Sequence, residues 1–238
     1  MFSDIRDFTT LSEQMSLQAN FDFINNYLSC MEPLIAQHNG LIDKYIGDAI
    51  LALFPIQAND AVNGAITMLK TLSEYNKKLQ NINLPTIKIG IGLNTGPLML
   101  GTIGGQNRME STVIADAVNL ASRIEKLTKI YGSHLLITKH TYLALTNVSQ
   151  YQIRLIDKVK VKGKSEIVTI YEIFDADTPS VITLKNQTRT DFEQGFLLYH
   201  SNQFELARQL FKKVLQINKN DIVAQIYLER SLQKSITD

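Results

Sequence analysis

Apolar residues recur along the chain at two periods, and the alternation between those periods outlines the fold. A short helix is predicted from Ser12-Glu13-Gln14-Met15. A longer one follows at 17–38, with Phe21, Ile24, Leu28, Met31 and Ile35 as its apolar stripe. Pro33 lies inside that run and predicts a kink or a break, and Asn39-Gly40 ends it. Residues 42–46 and 49–54 read as two short strands joined by a tight turn at Gly47, which enters such a turn without steric penalty. The second of these carries no charge and predicts a strand through a core. Asn59 or Asp60 is the expected cap of the next helix, whose buried face is Val62, Ala65, Met68 or Leu69, Leu72 and Leu79.

Residues 87–93 read as a strand in which Gly90 and Gly92 admit close approach of another element. Residues 98–103 are expected to continue the sheet, and 104–107 to form a loop. A helix at 116–131 turns Leu120, Ile124, Leu127 and Tyr131 inward; a strand at 135–138, a helix at 139–145 and strands at 151–161 and 166–174 follow. Helices alternating with paired strands predict an α+β, ferredoxin-like sandwich: an antiparallel sheet with helices on one face, followed by a small helical tail. The domain expectation is a first domain at 1–175, a linker at 176–187 rich in turn formers, and a helical segment at 188–238. In that segment Gly195, Ala207 and Phe211 fall at the spacing of a tetratricopeptide repeat, and Asp221 caps a third helix. A plain helical hairpin reads the same residues equally well.

Composition narrows the class without naming a chemistry. With 45% hydrophobic and 20% charged residues in 238, the chain has the make-up of a soluble globular protein. A net charge of +1 gives no general affinity for nucleic acid or acidic membranes, so any anion site must be local. No stretch approaches the ~20 apolar residues of a membrane span. Cys30, the single cysteine, forbids an internal disulfide, fits a reducing, cytoplasmic compartment, and is expected as a small buried residue.

The chemistry gathers around Lys44-Tyr45-Ile46-Gly47-Asp48. Asp48 sits at the mouth of a buried strand, where a carboxylate is poorly solvated; it also reads as an ordinary turn former. A second carboxylate, Asp4, follows the short apolar start of the chain. Two strand-end aspartates that meet in space would suit Mg²⁺, which takes one or two carboxylates plus substrate phosphates. Two such ions serve both the attacking and the leaving oxygen of a phosphoryl displacement.

Four segments now resemble one family. Phe2-Ser3-Asp4-Ile5-Arg6-x-Phe8-Thr9 and Lys44-Tyr45-Ile46-Gly47-Asp48 look like the two metal-binding motifs of class III nucleotidyl cyclases. Thr112-Val113-Ile114-Ala115-Asp116-Ala117-Val118-Asn119-Leu120-Ala121-Ser122-Arg123 looks like the third motif, and Val161-Lys162-Gly163-Lys164 like the fourth. They occur in the family's order over roughly residues 1 to 174, and together they are far more specific than any one alone. Where the family's domain opens with a full strand, only Met1, Phe2 and Ser3 precede Asp4, so a truncated first strand or a longer parent chain is expected.

The resemblance implies an adenylate cyclase that converts ATP to cyclic AMP and pyrophosphate. Asp4, Ile5 and Asp48 would hold two Mg²⁺ or Mn²⁺ ions. The amides from Ile5 to Thr9, with Phe8 and the Thr9 hydroxyl, would meet the triphosphate. Asp7 stands where the family usually has glycine and brings a carboxylate near those phosphates. Asn119 would orient the ribose and Arg123 would stabilise charge on the α-phosphate; on residues alone, Arg123 reads as a surface ion pair with Glu125 or Asp116. Lys158, Lys160, Lys162 and Lys164 share one face of a continuous strand, which is also how a solvated strand looks; the resemblance selects Lys164 for phosphate, with Lys162 in reserve. Lys44 and Thr112 match the family's adenine readers: a lysine donates to N1 and a threonine oxygen accepts from the 6-amino group, the reverse of what guanine needs. The implied unit is a head-to-tail homodimer with shared sites, with a further protein partner for the tail and none from nucleic acid or membrane. The alternatives are a guanylate cyclase and a non-catalytic dimerisation or scaffold module. A diguanylate cyclase would need a Gly-Gly-Asp/Glu-Glu-Phe loop, which the sequence lacks.

Overall fold

The structure, a computed structural model, describes residues 1–105, 108–160 and 167–234; between 103 and 114 it describes the backbone, with the side chain only of Val113. The chain divides into two compact units, Met1–Val148 and Ser149–Asp238.

The first unit opens with β1 (Phe2–Ile5), α1 (Phe8–Ser12) and α2 (Leu17–Gln37). A hairpin of β2 (Leu41–Ile46) and β3 (Ala49–Leu53), then α3 (Ala58–Asn81) and β4 (Ile89–Leu93), complete a two-fold repeat of strand and helix. The strands stand in the order β2-β3-β1-β4, all antiparallel, which is the ferredoxin-like order expected. Short as it is, β1 is central: Phe2 faces Leu51 on one side and Gly92 on the other.

A further layer departs from the expectation. The helix α4 (Asp116–Tyr131) leads to β7 (Leu135–Thr138), which joins β4 in parallel and is followed by α5 (Lys139–Ala144). Cross-strand partners share a face, so Phe2, Asp4, Gly90, Gly92, Ala49 and Leu51 all look to the same side. There Phe2, Ala49 and Leu51 pack on Ala121 and Val118 of α4. Ser3, on the other side, faces Tyr27 of α2, and α3 is tied to the end of α2 by His38 Nε2 and Thr67 Oγ1 at 3.0 Å. Helices therefore cover both faces. The approach of α4 is possible because β4 is bare: a Cβ on Gly92 would lie 2.3 Å from the carbonyl oxygen of Ala121, and one on Gly90 2.3 Å from Thr128 Oγ1.

Residues 98–103 do not continue that sheet. β5 (Met99–Gly105) pairs with β6 (Arg108–Ile114) as a separate two-stranded ribbon, with Leu98, Met99 and Leu100 exposed. The loop expected at 104–107 is thereby shortened, with Gly104 and Gly105 in β5 and the rest outside the described residues.

Other boundaries also move. The stripe of α2 is Phe23, Tyr27, Met31 and Ile35, a clean i, i+4 line, while Phe21 is 65% exposed. Tyrosine's hydroxyl hid that line in the sequence pattern. Helix α2 runs through Pro33 unbroken, because Pro33 and Ser29, whose carbonyl loses its donor, both lie on the exposed side. Cys30 is half-buried rather than buried. Helix α3 starts after Gln57, with no side-chain cap; Asn59 instead accepts from the amide and hydroxyl of Thr146, and Asp60 from Asn39 and Gln57.

The second unit begins with a hairpin, β8 (Ile153–Lys160) and β9 (Ile167–Ile173), followed by α6 (Pro179–His200), α7 (Phe204–Ile217) and α8 (Ile222–Lys234). Much of the expected linker is helix, since α6 begins at Pro179 rather than at 188. Proline suits a first helical turn, where its missing N–H is no loss, and Lys185 and Thr188 are already buried. Helices α6 and α7 cross at Gly195, where a Cβ would lie 3.1 Å from the Phe211 ring. Asp221 caps α8 through the amide of Ala224 at 3.2 Å.

Candidate active site

The last residues of β1 and the β2–β3 turn meet. Gly47 holds the turn with φ 65°, and Asp48 Oδ2 accepts the amide of Ile5 at 3.1 Å. The Asp4 and Asp48 carboxyls are hydrogen-bonded to each other. Burial, then that hydrogen bond, then Asp4's like charge push the Asp48 carboxyl up to about 7. Among the described residues neither aspartate has an ion pair with Lys or Arg.

A third carboxylate stands nearby and was missed as a site feature. Glu125 of α4 is buried and lies over bare Gly90, whose strand partner is Asp4. Burial and then Asp4's charge lift it to about 7, while Arg6 opposes the rise. Its signal was present in the helical period, since Glu125 falls on the same buried side as Ala121 and Thr128. Arg6 is held in place by donating from Nη2 to the Ser133 carbonyl. Among the described residues no three His, Cys, Asp or Glu side chains converge on one point. The pair of aspartates is thus an open donor set of the kind that Mg²⁺ completes with water and phosphate oxygens.

Asp7, the departure from the family's glycine, takes the left-handed conformation with φ 56° that a glycine would supply. Its carboxylate is held by Lys129 Nζ at 2.5 Å, a hydrogen bond and charge that lower its pKa. Phe8 stacks on Phe23 at 6.3 Å between centroids, and Thr9 is exposed at the start of α1.

Lys44 owes its direction to an irregularity in β2. Ile42 pairs with Ala52 and Lys44 with Leu51, so Asp43 is one extra residue. A one-residue slip reverses the face of all that follows. Lys44 consequently looks to the side of Leu51, Phe2 and Asp4, with its Nζ 3.5 Å from Asp43 Oδ2.

Asn119 and Arg123 project from the side of α4 away from buried Leu120 and Ile124. Glu125 is turned inward and does not pair with Arg123. Instead Arg123 Nη1 is buried with no hydrogen-bond partner among the described residues. Thr112 lies on β6 opposite Gly101, its side chain undescribed. Lys162 and Lys164 lie outside the described residues. The structure thus brings Asp4, Ile5 and Asp48 together, turns Lys44 to the same face, and keeps Asn119 and Arg123 as a separate pair on α4.

Comparison with known proteins places the chain's sequence and fold among the nucleotidyl cyclases. The family described as Adenylate and Guanylate cyclase catalytic domain matches residues 1–173. The terminal-differentiation-specific adenylate cyclase of Dictyostelium discoideum is 42% identical over 238 residues, 98% of this chain and 11% of that protein. The adenylate cyclase of Anabaena cylindrica is 48% identical over 179 residues, 73% of this chain and 36% of that protein. The chain therefore spans a minor part of these curated relatives. Among solved structures, the adenylyl cyclase CyaB from P. aeruginosa superposes with a TM-score of 0.65 at 33% identity, covering 72% of this chain and 90% of that one.

Proposed function

The chain belongs to the adenylate and guanylate cyclase catalytic-domain family, and from that premise we propose that it is an adenylate cyclase, forming 3′,5′-cyclic AMP and pyrophosphate from ATP. The observation that carries the reading is the meeting of Asp4 and Asp48, two carboxyls that among the described residues have no ion pair with Lys or Arg. The family is metal-dependent, and these aspartates with Ile5 would hold two Mg²⁺ or Mn²⁺ ions. When bound, the ions lower the pKa of the 3′ hydroxyl and neutralise the triphosphate.

The chain's own residues do the rest. Lys44 and Thr112 read the adenine edge, and a guanine would leave both unpaired. Asn119 orients the ribose. Arg123, whose Nη1 has no hydrogen-bond partner among the described residues, meets the charge that develops on the α-phosphate. Phe8, Thr9 and Lys164 bind the phosphates, while Lys129 draws the Asp7 carboxylate aside. In this reading the catalytic domain is 1–175, the helical segment follows from Pro179, the location is cytoplasmic, and the tail has a protein partner of its own.

Asp4 and Asp48 of one chain work with Lys44, Thr112, Asn119, Arg123 and Lys164 of a second in a head-to-tail homodimer, so that a two-fold axis creates two equivalent sites. The separate placement of the aspartates and of Asn119 and Arg123 favours this division. The test is purified protein with Mn²⁺ and either ATP or GTP, products separated by chromatography. Asp48→Ala and Arg123→Ala, each inactive alone, should regain roughly one quarter of wild-type activity when mixed, since random exchange leaves about half the dimers with one intact site. GTP as the preferred substrate would establish the guanylate reading. No product from either nucleotide would leave the scaffold reading, and mixing that restores nothing, although labelled chains exchange, would end the shared-site arrangement.

A further inference from the structure

Beside Asp4, residue 90 has no side chain, and its place is filled from the helix above. Asp4 pairs with Gly90 across β1 and β4, and a Cβ on Gly90 would stand 2.5 Å from Glu125 Oε1. Paired positions in antiparallel strands bring their Cβ atoms about 4.5–5.5 Å apart. The Glu125 carboxyl is therefore lodged in the side-chain position next to Asp4, and the residue is only 6% exposed. The Arg6 amide donates to the Lys88 carbonyl at 2.8 Å, which carries the same ladder one step past β1. Side chains two apart on an extended chain share a face, so Arg6 lies diagonal to the Gly90 position, within reach for a long side chain.

Arg6 is placed to pair with the aspartates and does not. At the rise of an extended chain its Cα is about 6.5 Å from that of Asp4, and a guanidinium is the natural partner of a carboxylate pair. Among the described residues, however, neither Asp4 nor Asp48 has an ion pair with it. Its Nη2 donates instead to the Ser133 carbonyl just past the end of α4, and its Nε is buried with no hydrogen-bond partner among the described residues. Burial lowers the Arg6 pKa, and of the two carboxylates that oppose this Glu125 acts more strongly than Asp7. Asp7 is itself taken by Lys129.

We infer that Glu125 is a positioning residue for the cation site: lodged beside Asp4, it draws Arg6 off the two aspartates and so keeps them open to divalent ions. The inference rests on the proposed metal role of Asp4 and Asp48. Without the Glu125 charge, the guanidinium is left with that pair as its carboxyl partners, and the chain would occupy its own cation site.

The experiment is a Mn²⁺ titration of the full chain without nucleotide, read by the paramagnetic resonance of the free ion, with melting temperature measured alongside. Glu125→Gln, nearly unchanged in shape, should weaken Mn²⁺ binding about tenfold, the scale of losing a group that supports the ligands from outside. Arg6→Gln alone should leave the affinity within about twofold, because the wild-type arginine already stands away. Arg6→Gln/Glu125→Gln should bind as Arg6→Gln does, since residues in one chain of cause are non-additive. Glu125→Asp, a milder change that leaves the carboxyl one methylene short of its place, should weaken binding in part, and Arg6→Gln should cancel that loss too. This pair carries the test if Glu125→Gln does not melt cooperatively. A direct action of the Glu125 charge on the ion gives a different pattern: Arg6→Gln alone would tighten Mn²⁺, and the two changes would add. That additive pattern overturns the inference and leaves the metal reading standing. So does a folded Glu125→Gln that binds as the wild type does while Asp48→Ala binds no ion. If Asp48→Ala binds Mn²⁺ as the wild type does, the metal reading fails and the inference falls with it.

Discussion

Buried charge is treated in opposite ways in the two units. In Ser149–Asp238 it is matched: Arg154, 2% exposed, meets Glu172 and Asp221 at 2.6 Å each, and Lys185 meets Glu172 and Asp177 at 2.7 and 2.6 Å. In Met1–Val148 it is met only in part: Asp48 and Glu125 are both lifted to about 7, Glu125 against the opposing charge of Arg6, and among the described residues Asp48 has no ion pair with Lys or Arg. A matched network serves architecture, since each charge is silenced by its neighbour. A pair of carboxyls without an ion pair stores a demand for a cation, which makes it a candidate site.

The sharpest way to break the comparison is to unmatch the matched unit. Arg154→Met leaves Glu172 and Asp221 buried together and should cost about 3–5 kcal/mol of unfolding free energy, read by denaturant titration. The converse change should be harmless to the fold and fatal to the chemistry. Asp4→Ala and Asp48→Ala should each lower turnover by at least ~10²-fold, the scale of losing one strong electrostatic contact, with the melting temperature of the metal-free protein preserved. Retained turnover in either folded variant would remove the aspartates from the site.

Selectivity should move by a smaller factor. Lys44→Glu with Thr112→Cys should weaken ATP and favour GTP by about tenfold each, the worth of one exchanged polar contact; kcat/KM for both nucleotides measures it.

The pH dependence sharpens the contrast further. Asp48 has a native value near 7 against an ordinary 3.8. Its protonated form favours the folded state, so that contribution is full below about pH 4 and is lost as pH rises through 7. Divalent ions need the deprotonated form. The melting temperature of the metal-free protein should therefore fall between pH 5 and 7.5, and the increment given by Mn²⁺ should grow over the same interval. Equal increments at both ends would deny Asp48 a role in binding the ion. The smallest effect belongs to Asp7→Gly, which relieves a left-handed aspartate but frees Lys129. Melting temperature should shift by a few degrees at most, and KM for ATP should stay within about twofold, as for an exposed ion pair.

What the sequence disclosed followed the same division. The pairing of Asp4 with Asp48 was implied by the resemblance. The ferredoxin-like sandwich, the tight turn at Gly47 and the close approach of another element to Gly90 and Gly92 were legible because each rests on local patterns: helices alternating with paired strands, a turn glycine, two glycines in alternation. Faces that depend on register were not. Nothing in Ile42-Asp43-Lys44 announces an extra residue, and in β8 Ile156, one extra residue between the paired Leu155 and Asp157, turns on ladder pairings that hold only once β9 is in place. The buried stripe of α2 was misjudged because Tyr27, wholly buried, carries a hydroxyl that a binary pattern counts as polar. The inward turn of Glu125 was hidden by its charge, and the helix over 179–187 by a run of turn-forming residues that also suits a first helical turn.

The bare strand under α4 has one more consequence. Backbone rests on backbone there, with the Ala121 carbonyl and the Glu125 amide each 2.3 Å from where a Gly92 Cβ would stand. Such a seat has no rotamers and no compressible side chain, so its height has a single setting. Asn119 and Arg123 ride on that helix as one rigid piece. Gly92 holds the gauge, and a methyl group added there would lift both residues in the same stroke, whereas at Gly90 it would meet the side chains of Thr128 and Glu125.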